Sequence, residues 1–392
     1  MTHAKCLIIG GGIGGMSAAL CLAQAGFDVH VVEQASEFTE IGAGIQLAPN
    51  ALRVLDKLGL LADIDRCAVR PRTLMFFDID TAEQLANVDL GDSFASRYGY
   101  FYYVLHRGDL LDILVSACRA EHRITMEANK KVDRICNERT CARVGFTDGT
   151  AYTADAVVAA DGLWSTARAL LSNDHPVCSG YVAYRGAVPI NEIVPLHDNI
   201  EVIWIGPHKH LVQYPIRGGE LYNQVAVFRS DQFRQGFDSS IEWGTPDELD
   251  QHFGTACDHV RSSVTLLKRE RRWPMYDRAP IDNWTLGRVT LLGDAAHPML
   301  QYLAQGACQA IEDAHSLAMH MSAHRDDVVA AFASYQNDRL PRTAQIQRLA
   351  RVWGDIWHAT DSIIPALRNR VLARDSAEHY RDLDWLYQTS DR

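Results

Sequence analysis

The tightest constraint on how this chain can fold lies near its start. Residues 6–9 are a short apolar run, residues 10–15 are glycine-rich, residues 17–25 favour a helix that Gly26 stops, and residues 28–33 alternate as a second strand does. The result is a β-α-β unit carrying Gly10-x-Gly12-x-x-Gly15, with Glu33 about 20 residues further on, the spacing a dinucleotide fingerprint requires. Gly10 permits a tight turn, Gly12 lets the backbone approach a pyrophosphate, and Gly15 lets helix and strand pack closely. Ile13 and Gly14 complete the loop, the free N–H groups of the helix start face the anion, and Glu33 would accept hydrogen bonds from a ribose. The unit alone does not separate FAD from NAD.

Two later segments end strands in an acid. Residues 156–160 are apolar and run into Asp161-Gly162-Leu163-Trp164-Ser165-Thr166-Ala167-Arg168, and residues 287–292 run into Gly293-Asp294-Ala295-Ala296-His297-Pro298. Ligands of open α/β sheets gather at the carboxyl ends of the strands, so Glu33, Asp161 and Asp294 are expected to converge. Gln305-Gly306-Ala307 opens a helix whose apolar residues Ala307, Ala310, Ile311, Ala314, Leu317 and Ala318 repeat at helical spacing, with Glu312 and Asp313 expected to cap or solvate it. Arg107 opens another apolar-periodic helix and could reach a phosphate or an isoalloxazine edge. Arg53, among Leu52, Leu55, Leu58 and Leu60, could do likewise or simply face solvent.

The three motifs occur in order over roughly residues 5 to 320, and in this the chain resembles the class A flavoprotein monooxygenases, the para-hydroxybenzoate hydroxylase-like group. The resemblance implies tightly but non-covalently bound FAD, with its adenosine end on Gly10, Gly12, Gly15 and Glu33 and its ribityl hydroxyls on Asp294. It associates Asp161 and Gly162 with the pyrophosphate and the nicotinamide, and it places the helix start at Gly306 and Ala307 against the flavin. No second glycine fingerprint is present, which fits NADH docking transiently and leaving after hydride transfer. The reduced flavin of this family reacts with dioxygen to a hydroperoxide that hydroxylates an electron-rich ring.

The substrate half reads as strand-like runs over residues 181–188, 200–205, 211–216 and 221–228. Period two puts His210, Val212 and Tyr214 on one face of a strand and Gln213 on the other, with His208 in the turn. Gln301 lies between the Asp294 motif and the Gly306 helix. With Gly180-Tyr181-Val182-Ala183-Tyr184-Arg185-Gly186 and Trp273-Pro274-Met275-Tyr276-Asp277, this looks like the 3-hydroxybenzoate 6-hydroxylase branch of the family. That likeness implies a phenolic acid substrate, 3-hydroxybenzoate, converted to 2,5-dihydroxybenzoate (gentisate), with His210 as phenol base or proton relay, Gln301 orienting the ring and Tyr214 lining the pocket. Arg185 and Arg217 are left open as carboxylate clamps, and Tyr102 and Tyr103 read as packing residues. Salicylate 1-hydroxylase and 6-hydroxynicotinate 3-hydroxylase activities share the cofactor motifs, and a non-catalytic redox-sensing module is the alternative of another class.

The expected architecture is α/β: a Rossmann-like FAD-binding domain (1–70, 101–178 and 279–345) interleaved with a mixed β-sheet substrate domain (71–100 and 179–278), then a C-terminal helical segment (346–392). Val352, Trp353, Ile356 and Trp357 in that segment read as a packing or dimer face, and a homodimer is expected. The net charge of −11 over 392 residues creates no field that gathers polyanions, so nucleic acid is excluded as a partner. Nine cysteines without a CxxC imply reduced, mostly buried thiols. An apolar strand directly after Met1-Thr2-His3-Ala4-Lys5, with no leader and no membrane-length apolar run, implies a cytoplasmic protein. No HExxH is present, so no metal is expected, and no Gly-x-Ser-x-Gly elbow; Ser165 reads as a turn and helix-start residue.

Overall fold

The computed structural model describes residues 5–39, 42, 44–193, 199–234 and 242–388. The chain opens with β1 (Lys5–Ile9), α1 (Ile13–Gln24) and β2 (Asp28–Val32). Helix α1 starts at Ile13 rather than at Ser17, so the last glycines of the fingerprint lie inside it. The reason is contact: Gly10 has φ +105°, and a Cβ on Gly15 would sit 2.0 Å from the Gly10 carbonyl oxygen.

Next come β3 (Gly44–Leu47), α2 (Pro49–Lys57), α3 (Leu61–Cys67), β4 (Thr73–Asp78), β5 (Gln84–Asp89) and α4 (Asp92–Tyr98). They are followed by β6 (Tyr103–His106), α5 (Arg107–Ala120), β7 (Ile124–Glu127), and β8 (Val132–Asn137), β9 (Ala142–Phe146) and β10 (Ala151–Ala154), which form a small antiparallel sheet. Then β11 (Ala156–Ala159) precedes β12 (Val177–Pro189), β13 (Ile200–Gly206), β14 (Lys209–Ile216) and β15 (Leu221–Arg229). Two short helices, α6 (Pro246–Phe253) and α7 (Asp258–Val264), lead to β16 (Trp273–Asp277), β17 (Thr285–Leu286) and β18 (Val289–Leu291). The chain closes with α8 (Gly306–Ala323), α9 (Val328–Trp357), α10 (Ile363–Leu372) and α11 (Ser376–Tyr387).

One sheet has the order β17-β18-β11-β1-β2-β7, with the run from β18 to β7 parallel. Its central strands β1 and β11 are almost wholly apolar and buried because α1 and α8 cover one face and the β8–β10 sheet the other. Neighbouring strands β2, β1, β11 and β18 therefore release Glu33, the glycine loop, Asp161 and Gly293-Asp294 along one edge.

The second sheet is mixed, in the order β16-β12-β15-β14-β13-β4-β5, so β4, with β5 beside it, pairs in parallel with β13 from much later in the chain. Its alternation is strict: Val202, Trp204, Leu211 and Phe228 pack against Leu249, Phe253 and Val260 of α6 and α7, while the opposite face is turned toward the first sheet. Register aligns that inner face in rows, Ile205 with His210 and Val227, then Ile203 with Val212, Val225 and Arg185.

Helix α9 runs unbroken from Val328 to Trp357 with Pro341 inside it, so the boundary expected between residues 345 and 346 falls within a helix. Its last turn presses on the 301–303 turn, where a Cβ on Gly354 would meet the Tyr302 ring at 2.4 Å. The nine cysteines are free, but only Cys6, Cys21, Cys118 and Cys308 are buried, fewer than expected. Among the described residues no helix is long and apolar enough to cross a membrane.

Candidate active site

Between the two sheets lies a cavity of about 780 Å³. One wall is backbone: Gly12, Ile13 and Gly14 at the start of α1, Gly162 after β11, Gly293 and Asp294 after β18, and Gly306 and Ala307 at the start of α8. Neither helix start carries a side-chain cap, so orphan amide donors of both open on the cavity. A Cβ on Gly12 or Gly162 would meet nothing, which leaves room for a ligand against the main chain. An elongated cofactor with an anionic middle fits such a wall.

The three strand-end acids divide their tasks. Glu33 accepts from the Gly11 amide at 2.7 Å and the Ala35 amide at 2.9 Å, holding the glycine loop with lone pairs to spare for a ribose. Asp161 turns its carboxylate onto the Thr166 amide at 2.8 Å, leaving Gly162 to line the cavity. Asp294 alone of the three lines the cavity. Ser165 accepts from the Arg168 amide at 3.0 Å, as a helix-start residue does, and buried Arg168 donates to the carbonyls of Ala295 and Ala296, tying the Asp161 motif to the Asp294 motif.

Glu312 and Asp313 do not solvate α8; both are buried. Arg339 of α9 donates to Asp313 at 2.7 Å and to Glu312 at 2.6 Å, Arg342 donates to Glu312 at 2.9 Å, and His297 meets Asp313 at 2.5 Å. Asp313 also accepts from the Gly293 amide at 3.1 Å, and Asn50 links Glu312 to Gln305. The acids thus hold both backbone segments that border the cavity. Burial opposes ionisation of Asp313, but His297 and Arg339 outweigh it and hold the carboxyl down at about 2.

The other wall is side chains. His210, Val212 and Tyr214 face the cavity together along β14, while Gln213 points away and bonds Trp204 and Gln224. His208 sits in the β13–β14 turn with φ +58°. Gln301 meets His210 Nε2 at 3.4 Å, and Arg185 donates to Gln301 Oε1 at 2.8 Å. Arg185 lines the cavity, and no carboxylate of the described residues pairs with it; Arg217 is exposed and bound to Asp109. Burial, with Arg185 nearby, lowers His210 to about 3, so its imidazole is neutral at ordinary pH.

Other residues reach the cavity that were read as packing residues or not singled out. Trp353 and Trp357 pack, as expected, in a cluster with Phe76, Leu300 and Tyr302, and from there they also close the cavity, because Gly354 lets α9 lie flat on Tyr302. His358, next in the chain, contacts His210 Nδ1 at 2.8 Å. Tyr102 lines the cavity, whereas Tyr103 lies under Arg70. Glu201 of β13 accepts a short hydrogen bond from Gln46 of β3, its other oxygen has no partner, and burial pushes it up to about 8. An acid amid Ile200, Val202, Ile203, Trp204 and Ile205 was a legible signal. Arg107 also lines the cavity, and Arg53 bonds the Tyr98 carbonyl over the Tyr100 ring.

Comparison with known proteins decides the family. The model described as FAD binding domain matches residues 3–350. The chain belongs to this family. It is an FAD-dependent aromatic monooxygenase of the class A flavoproteins, as the three motifs implied. The 3-hydroxybenzoate 6-hydroxylase of Polaromonas naphthalenivorans is 38% identical to this flavoprotein over 383 residues, 97% of this chain and 95% of that protein. The 3-amino-4-hydroxybenzoate 2-monooxygenase of Streptomyces cremeus is 36% identical over 381 residues, 97% and 94%. The solved structure of Klebsiella pneumoniae HpxO complexed with FAD and uric acid aligns with a TM-score of 0.83 at 26% identity, covering 97% of this chain and 95% of that one.

Proposed function

We propose that this monooxygenase hydroxylates 3-hydroxybenzoate para to its phenol, giving 2,5-dihydroxybenzoate, with NADH as transient reductant and dioxygen as oxidant. The observation that carries it is the meeting of His210, Gln301 and Arg185 at one corner of the cavity, taken with the likeness to the Polaromonas enzyme named for this reaction. FAD, when bound, supplies the electrophilic oxygen; the residues bind, orient and move protons. A cytoplasmic homodimer is the assembly proposed with it.

In this assignment the amides of Gly12, Ile13, Gly14 and Gly15, reached through the Gly10 turn, hold the pyrophosphate. Glu33 takes the adenosine ribose, Arg107 a phosphate or the isoalloxazine edge, and Asp161 and Gly162 the pyrophosphate side. Asp294 takes the ribityl hydroxyls. The α8 amides at Gly306 and Ala307 stabilise negative charge on the reduced ring by up to about 2 kcal/mol. Neutral His210 accepts the phenol proton at Nε2, which raises electron density ortho and para on the ring. The Gln301 amide orients the phenol oxygen, the Arg185 guanidinium supplies the field for the carboxylate, and Tyr214 packs along the ring. Trp353, Trp357 and Tyr302 exclude water.

Incubation of the holoenzyme with 3-hydroxybenzoate and NADH under air, followed by chromatography, is expected to give gentisate. NADH oxidation that yields hydrogen peroxide and no hydroxylated acid would sink the substrate assignment. His210→Ala is expected to slow hydroxylation by ~10²–10⁴-fold; an unchanged rate and product yield would remove the histidine from the mechanism.

A further inference from the structure

We propose that His358 is the second member of a proton relay that carries the phenol proton from His210 out of the cavity toward the surface at His208. The proposal rests on the assignment of His210 as phenol base and extends it to a residue of the C-terminal part of the chain.

The direction of the hydrogen bonds is fixed from one end. A guanidinium has only donors, so the Gln301 atom that Arg185 meets at 2.8 Å is the oxygen. The Gln301 amide nitrogen then faces His210 Nε2, which must accept. His210 therefore carries its hydrogen on Nδ1 and donates it to His358 Nε2 at 2.8 Å. That leaves the hydrogen of His358 on Nδ1, a buried atom with no protein partner. A buried unpaired donor is costly, and water supplies the missing acceptor where there is room for it.

The step balances. With substrate bound, the phenol O–H takes the place of the long 3.4 Å Gln301 contact at His210 Nε2; the phenol O–H bond then breaks as His210 Nε2–H forms, His210 Nδ1–H breaks as His358 Nε2–H forms, and His358 Nδ1–H releases its proton to water. The phenolate is the one charge left in the cavity, its proton having gone to solvent as hydronium, and the reverse passage restores both tautomers when product leaves. His208 is the next group outward: its amide donates to the His358 carbonyl at 3.2 Å, its ring is half-buried, and its Nδ1 also has no protein partner.

The surroundings favour passage over storage. Tyr181 stacks on His358 at 4.5 Å, His210 stacks on it at 5.0 Å, and Tyr302 meets it edge-on at 5.5 Å. The charged groups acting on the pair are Arg185 at His210 and Arg368 at His358, both cations, with His208 beyond; Asp355 acts on Tyr181 and Tyr302. Burial and these cations hold both imidazoles well below their ordinary range, so neither keeps a second proton. Two neutral histidines in series can hand a proton on without either becoming a buried cation.

The test uses the FAD-loaded enzyme and follows the ultraviolet change of bound 3-hydroxybenzoate as its phenol ionises, before NADH is added. His358→Gln keeps an acceptor for His210 Nδ1–H but cannot pass a proton; His358→Ala opens space for added imidazole. Ionisation at least ~10-fold slower in both variants, with imidazole restoring the Ala variant, is expected. A Gln variant that ionises substrate as fast as wild type would reduce His358 to a hydrogen-bond acceptor and overturn the relay. If wild-type enzyme binds 3-hydroxybenzoate without ionising it, the assignment of His210 as phenol base falls first, and the relay with it.

Discussion

Asp313 and Glu201 lie on opposite sides of one cavity, and neither is more than 1% exposed, yet their carboxyl groups end in opposite states. Asp313 is held down at about 2, whereas Glu201 is pushed up to about 8. Burial raises both. What differs is the partner: Asp313 has His297 and Arg339, while Glu201 has the neutral amide of Gln46. The ionised site is scaffolding that fixes the Gly293 turn and, through Glu312 and Asn50, the start of α8. The neutral site sits on the second sheet, where a further negative charge would repel the phenolic acid proposed as substrate. Withdrawal from water sets the cost of charge, and the presence of a cation decides whether the charge exists.

The sharpest way to break the contrast is to remove the cation. Arg339→Met leaves two buried carboxylates short of a partner and is expected to destabilise the fold by about 3–5 kcal/mol in denaturant unfolding. A loss within the error of the measurement would mean that Arg342 and His297 suffice.

A milder intervention sharpens the other half. For Glu201 the unfolded chain loses its proton near 4.5 and the folded chain near 8, so stability is complete below about 4.5 and falls by about 1.4 kcal/mol per pH unit up to about 8. Glu201→Gln should abolish that slope, so the variant gains on wild type as pH rises through this window. Equal stability differences at both ends of the window would show that Glu201 is already ionised in the fold. Asp313 contributes with the opposite sign: its stabilisation is present above 3.8 and is lost as pH falls toward about 2.

The smallest expected effect is the control. Arg217 bonds Asp109 at 2.8 Å, but its side chain is 45% exposed, so Arg217→Ala should change stability by no more than about 0.5 kcal/mol. A larger loss in the same unfolding assay would show that partner choice matters in water as much as in the interior.

Much of this was readable in the chain. The β-α-β start is written in glycines whose roles are local, and period two put His210, Val212 and Tyr214 on one face because a strand has no other option. The site's other half was hidden for reasons of distance. His358 meets His210 across 148 positions of sequence, and no spacing rule connects them. Trp353 and Trp357 repeat at helical spacing whether they pack against a partner or close a cavity. Glu312 and Asp313 look like solvent-facing acids until Arg339 and Arg342, one turn apart on α9, are laid against them.

The sequence by itself determined the dinucleotide unit, the order of the three strand-end motifs and the face of the strand that carries His210, because backbone sterics and side-chain alternation act over a few residues. Tertiary structure alone decided which acids ionise, which arginine stands in the cavity without a carboxylate, and which histidine stands behind His210. Those outcomes depend on desolvation and on charges a few ångströms away in space, and the chain order does not record such distances.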